Sequence, residues 1–414
     1  MRVGISDHPC HSYLASDWGL VVDILAKGLF ALPWWAVALI ALALTHLTIV
    51  GVTVYLHRYQ AHRAITLHPA VALFFRTWLW LTTGMKTREW TAVHRKHHAF
   101  VEAEGDPHSP KIFGIRKVFW QGAELYREEA AHPETLLRYG QGTPDDWLEQ
   151  HLFARDKLGV AVMLVIDLVC FGVLGLTVWA VQMAWIPFFA AGVINGAAHW
   201  RGYRNVETTD SSTNLVPWGI LIGGEELHNN HHAFPSSACF RLKPWEFDIG
   251  WAYIRALTRL GLAEVTRVAP RLEVARPEPR VDGETLSAML VGHWQVMSDY
   301  AQRVVRRVHR EEVRVAPQAE RARLRPLARL IARAPRRLAP HDEAVLTAGL
   351  DRSRALSLVY QFQQRLHALV AERTASQERL LAQLHEWCGE AEASGVAALA
   401  EFSDRIKGYV LRTA

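Results

Sequence analysis

The stretch "LPWWAVALIALALTHLTIVGVTVY", residues 32–55, decides the fold, because "HRYQAHR" at 57–63 follows it after a single leucine. It carries no charge and exceeds the roughly 20 apolar residues that a bilayer core requires. A cleaved signal peptide would be shorter and would start nearer the N-terminus. A histidine pair is therefore delivered to the edge of a membrane. Residues 158–200 form a second apolar region whose one charge is Asp167. At about 1.5 Å per residue it supplies two crossings, a helical hairpin with its turn expected near Gln182–Met183. Trp179, Trp185 and Trp200 sit near the inferred ends, where indole rings favour the interface. Residues 69–84 are shorter and carry Arg76, so they read as an interfacial or re-entrant helix. Residues 19–31, broken by Asp23 and Lys27, read as an additional short or re-entrant segment.

Two copies of one heptad flank the hairpin: "HRKHHAF" at 94–100 and "HNNHHAF" at 228–234. Histidines at i, i+3 and i+4 lie on one helical face. His94, His97 and His98 are thus expected to point together, as are His228, His231 and His232. His57 and His62 are five apart, a poor spacing in mid-helix, although a helix end can still aim both inward. His199 ends the second hairpin helix and shares a face with Asn195, four residues earlier.

These nine histidines come from four segments and exceed what one zinc takes, four in a structural site and three from protein in a catalytic one. Two metals with four or five protein ligands each, plus open positions, fit the count. Imidazole suits zinc, iron and copper. Oxygen chemistry at a membrane face favours iron, while spacing alone leaves zinc open. Glu225 and His228 make one Glu-x-x-His unit, but carboxylate di-iron bundles need two such units and two further glutamates. Glu225 therefore reads as a hydrogen-bonding partner of a ligand. His108, in "GDPHSP", stands between that role and plain turn chemistry. If all clusters meet, they share one side with Arg58, Arg63, Arg88, Arg95, Lys96, Arg116 and Lys117, which the positive-inside rule makes cytoplasmic.

With these motifs in hand, residues 34–265 resemble the membrane fatty acid desaturases, in particular the acyl-CoA (stearoyl-CoA-type, delta-9) branch. The resemblance rests on "HRYQAHR", "HRKHH" followed by "DPHS", "NGAAHWRGYR" and "GEELHNNHHAFP", in order. It implies an all-α integral membrane protein in which a few transmembrane helices are capped by a cytosolic, histidine-rich di-iron domain over a kinked tunnel. It implies a ligand set for two irons of His57, His62, His94, His97, His98, His199, His228, His231 and His232, with Asn195 acting through water. The implied reaction uses O2 and two electrons to place a cis double bond, by family habit at Δ9 of a saturated acyl chain, with acyl-CoA as the first expected substrate and the enzyme an acyl-CoA desaturase. One departure weakens an acyl-CoA substrate relative to acyl-lipid or acyl carrier protein. The Arg-Asp pair that contacts CoA in the animal enzymes is replaced by Ala92 and Val93. Lys86, Arg88, Lys111 and Trp90 become the substrate-contact candidates, and Trp78, Trp80 and Trp90 the tunnel candidates.

The domain reading is a desaturase domain over 1–267, a linker over 268–284 in which Pro270, Pro277 and Pro279 block regular structure, and a charged helical tail over 285–414. The tail is similar to the helical tails of some transposases; no function is carried across. Its arginine-dense part, Arg303 to Arg337, reads as a solvated face ahead of a lipid-binding one. The scattered cysteines Cys10, Cys170, Cys239 and Cys388 exclude an iron–sulfur cluster within this chain, and there is no GxGxxG fingerprint. Electrons must come from a separate ferredoxin or cytochrome with its reductase. A net charge of +5 suits an acidic donor or anionic lipid and requires no nucleic acid. The expected location is a bacterial-type inner membrane with the active site facing the cytoplasm. The rivals are a membrane di-iron hydroxylase with the same ligands, a metal transporter, and a scaffold. Transporters place polar ligands at mid-membrane, whereas these histidines lie past helix ends.

Overall fold

The computed structural model describes residues 26–275, 278–332, 340–372 and 374–412. Cys10, the first part of the 19–31 segment, Pro277, Arg333, Arg336 and Arg337 lie outside the described residues. The chain is mostly helical and divides into two compact units. The first comprises Met1–Arg201, Val216–Glu226 and Trp245–Thr266; the second comprises Gly202–Leu215, Leu227–Pro244 and Arg267–Ala414.

In the first unit, α1 (Trp34–Val50) starts after Pro33 and continues without a break into a π-helix, Gly51–Ala61. Together they make 28 residues, one of two helices among the described residues that are long and apolar enough to cross a membrane. An antiparallel pair then takes over. Strand β1 (Ile65–Leu67) pairs with β2 (Ala263–Val265), Ile65 facing Val265, and pins the chain leaving the π-helix. Helix α2 (Pro69–Thr83) begins with proline at its first turn, where the missing N–H costs no bond. It ends at Gly84, whose φ of 64° lies in the region that favours glycine. Helices α3 (Thr87–Phe100) and α4 (Ile115–Ala130) follow.

The hairpin is α5 (Asp156–Phe171) and α6 (Val173–Ile186), with a second π-helix over Pro187–Ile194. Its reversal is at Gly172, not near Gln182–Met183. Gly172 adopts φ 61°, ψ −142°, a conformation no other residue takes cheaply, whereas Gln182 is buried inside continuous helix. The helix Val173–His199 is the second of membrane-crossing length, while α5 has 16 residues.

In the second unit, α7 (His228–Ala233) is a single short helix. Arg271–Val274 forms strand β3, paired antiparallel with β4 (Tyr409–Arg412). This differs from the linker expectation, because Pro270 and Pro277 flank the strand and leave its own N–H groups available. The tail helices surround their own core, in which Trp387 Nε1 donates to Phe362 O (2.9 Å) and Tyr300 Oη to Val359 O (2.7 Å). Ser353, Ser376 and Asp282 cap three of these helices with their side chains. Arg307 pairs with Glu311 and Glu401, and Arg352 with Glu320, on exposed surface.

Candidate metal centre

The five-residue spacing of His57 and His62 has a physical answer in the π-helix. Its hydrogen bonds run i to i+5, and His62 N donates to His57 O (3.0 Å). Residues five apart therefore stack on one face, which an α-helix would not allow. The two rings lie 4.8 Å apart. His94 and His98, one α-helical turn apart on α3, meet them: the ring distances are 4.4 Å for His57–His94 and 4.7 Å for His62–His98. Ring nitrogens of His57, His62, His94 and His98 all lie within 4.8 Å of one another. His62 Nε2 and His94 Nε2 are 2.8 Å apart, within hydrogen-bond distance, one nitrogen donating to the lone pair of the other. Burial pushes the His94 pKa well below its usual value, with His57 and His62 adding to the shift. Trp90 stacks flat on His94 with ring centres 4.9 Å apart.

His97 does not join this set. It turns to His199, with ring centres 5.1 Å apart, and to His108 at 4.3 Å. The same division appears in α7. His228 and His232 lie 4.4 Å apart, while His231 is 5.9 Å from His228 and packs on Phe240 at 4.7 Å. The expectation that each triplet points together is thus corrected. Positions i and i+4 are nearly eclipsed on a helix, and i+3 is rotated away toward a second direction. Asn195 ends the second π-helix one turn before His199, which lies in the 3-10 turn Ala197–His199.

Four histidines place Nδ1 against a carboxylate: His57 on Glu225 (2.6 Å), His97 on Asp106 (3.0 Å), His199 on Glu102 (3.3 Å) and His232 on Asp210 (3.1 Å). An ionised carboxylate only accepts, so in the three hydrogen-bonded pairs, His97–Asp106, His199–Glu102 and His232–Asp210, Nδ1 donates and Nε2 is the atom a metal would take. The donor set therefore fits first-row metals of the imidazole-binding class. Burial opposes the charge on Asp106, but His97, His108 and the Glu102 N–H hold it well below the usual carboxylate range. Burial also keeps His108 neutral, its pKa lowered well below the ordinary value, with His97 contributing. Glu226 accepts from the N–H groups of Leu221 (2.7 Å) and Ile222 (3.0 Å), which sets the loop that presents Glu225.

Asn229 and Asn230, inside the second heptad, are structural. Asn229 Oδ1 accepts from Asn205 N (2.9 Å) and Val206 N (3.1 Å). Asn230 Oδ1 accepts from Asn205 Nδ2 (2.8 Å) and Asn214 Nδ2 (3.0 Å), and Asn214 Oδ1 accepts from Asn229 N (2.9 Å). Sequence reasoning missed this network, Glu102 and Asp210. The signal for the asparagines was their position between the histidines of the heptad, and for the two acids there was none.

Among the substrate candidates, Trp90 reaches the histidines, Lys86 pairs with Glu89 (3.1 Å), and the Arg88 side chain lies over Gly140. Trp78 and Trp80 donate to Thr48 Oγ1 (3.1 Å) and Arg155 O (3.0 Å). Ala92 and Val93 are buried. Several cations of the expected cytoplasmic side turn inward. Arg58 is fully buried on Asp248 (2.8 Å), Lys96 pairs with Glu129 (2.7 Å), and Arg95 donates to Gln60 O, Ala61 O, Tyr139 O and Gln141 O.

Residues 33–258 match the family model described as fatty acid desaturase, and residues 295–412 match one described as transposase. The chain is 30% identical over 241 residues to an sn-1 stearoyl-lipid 9-desaturase of Anabaena variabilis, covering 57% of this chain and 86% of that one. It is 31% identical to delta-9 acyl-lipid desaturase 1 of Arabidopsis thaliana (58% and 77% covered). It is also 31% identical to an acyl-CoA 5-desaturase of Anemone leveillei (53% and 67% covered).

Proposed function

Because the chain belongs to the membrane fatty acid desaturase family, we propose that it is an O2-dependent di-iron desaturase that forms a cis double bond at Δ9 of a saturated acyl chain. The supporting observation is the common division of the two heptads, with i and i+4 together and i+3 apart. Two irons are assigned to the nine histidines the family resemblance implies, His57, His62, His94, His97, His98, His199, His228, His231 and His232, with Asn195 through water. When bound, the irons supply the oxidising chemistry that removes one hydrogen from each of two adjacent methylenes. O2, with two further electrons and two protons, ends as two waters.

The chain's own share is positional. The histidine rings present Nε2, and Asp106, Glu102 and Asp210 hold three of them by hydrogen bonds while Glu225 lies against His57. Trp90 holds His94 flat. For the carrier, an acyl-lipid is favoured over acyl-CoA. Buried Ala92 and Val93 offer no headgroup contact, and two of the named relatives are acyl-lipid enzymes by name. Contact with the headgroup falls to Lys86 and Arg88. A separate ferredoxin or cytochrome delivers the electrons, and the active site faces the cytoplasm at an inner membrane.

The test is a fatty-acid profile with double-bond localisation from cells expressing the chain with a donor, beside cells expressing His228→Ala. A new monounsaturated acid absent from the variant supports the proposal and reads out the position. A hydroxylated acid would establish the hydroxylase alternative instead. No new product from an iron-loaded chain with an active donor would remove the acyl substrate.

A further inference from the structure

We propose that the second unit carries a phosphate-binding pocket separate from the histidines. A cavity of ≈ 400 Å³ opens between Arg241, Lys243, Arg271 and Arg405, with Glu273 and Asp299 as its acidic lining residues. Both acids are already engaged. Glu273 pairs with Arg412 (3.0 Å), and Asp299 with Arg405 (2.8 Å) and the Tyr409 hydroxyl (3.0 Å). Arg241, half-buried, and Arg271, exposed, have no carboxylate within ion-pair distance among the described residues. Two guanidinium groups that line one cavity and have no carboxylate partner of their own offer their N–H donors to an anion.

Guanidinium favours phosphate because its parallel N–H groups match two phosphate oxygens. The volume suits a phosphate with part of the molecule that bears it, and not a polymer. The pocket draws its walls from two stretches. Arg241 and Lys243 lie within residues 33–258, whereas Arg271 and Arg405 lie beyond them. The similarity to desaturases therefore does not supply the site. Asn205 forms part of the wall, and it also accepts at its carbonyl from Ser298 Oγ (2.7 Å) and binds both asparagines of α7. The ligand is a phosphate group, carried either by a soluble molecule or by a lipid headgroup.

Calorimetric titration of the full-length, detergent-solubilised chain with inorganic phosphate tests this. Saturable binding is expected, weakened about tenfold or more in R241Q/R271Q and unchanged in R314Q, a change at an exposed arginine elsewhere in the same unit. R271Q alone, at an exposed position, replaces the double variant if the latter loses its circular-dichroism signal. Repeating the titration in phosphatidylcholine nanodiscs, with and without phosphatidic acid, distinguishes the sources. Competition by phosphatidic acid marks a lipid headgroup, and an unchanged isotherm marks a soluble phosphate. Equal phosphate binding by wild type and the arginine variants, or no saturable binding in wild type, overturns the proposal.

Discussion

The two copies of the histidine heptad differ in how they are held. The copy at 94–100 sits in a 14-residue helix, where each added residue adds a backbone bond and the helix maintains itself. The copy at 228–234 sits in a helix of 6 residues, too short to persist by propagation. Its rigidity comes from amide side chains instead. The second and third heptad positions show the division of labour. Arg95 grips the carbonyls of Gln60 and Ala61, at the end of the π-helix bearing His57, while Asn229 and Asn230 grip the 205–214 loop. The repeated letters therefore specify where the histidines go, and the unrepeated ones specify what holds them there.

The comparison breaks first at the ligands. His94→Ala and His232→Ala are both expected to reduce desaturation to background and to leave about one iron per chain, measured by product analysis and metal content. Equal activity in either variant would remove that histidine from the site. The next effect is structural and unequal. Asn229→Ala strands the buried N–H groups of Asn205 and Val206, at about 1–3 kcal/mol each, and is expected to lower the thermal midpoint clearly. Arg95→Ala frees four carbonyls, of which that of Tyr139 is on a half-buried residue and that of Gln141 on an exposed one, so water replaces part of what the guanidinium supplied and the loss is smaller. The reverse order would mean that α7 is held by something else.

Asp106→Asn and Asp210→Asn probe the same device in both copies. Each is expected to weaken iron binding by about 10–100-fold, seen in chelator competition, without unfolding the chain. The smallest effect is expected for Lys96→Gln, which removes one partly exposed ion pair with Glu129 and should cost under about 1 kcal/mol in denaturant titration.

The sequence made the histidine clusters and the apolar helices visible because their spacing and composition are local properties. It hid the π-helix: five residues between His57 and His62 looks awkward under α-helical geometry and becomes regular only when the hydrogen bonds lengthen by one residue. The hairpin turn was misplaced because Gln182 looked like the polar break, while Gly172 held the required positive φ. Glu102 and Asp210 escaped notice since a carboxylate meets its histidine through folding and not through spacing. Strand β3 was hidden by its flanking prolines, and the tail's amphipathic helices were legible from their periodicity.

Iron counting on the purified full-length chain tests the central claim most directly, with zinc measured in the same sample. The account predicts two irons per wild-type chain and little zinc. One metal per chain, or zinc in place of iron in an active preparation, would contradict a di-iron centre built from both heptads.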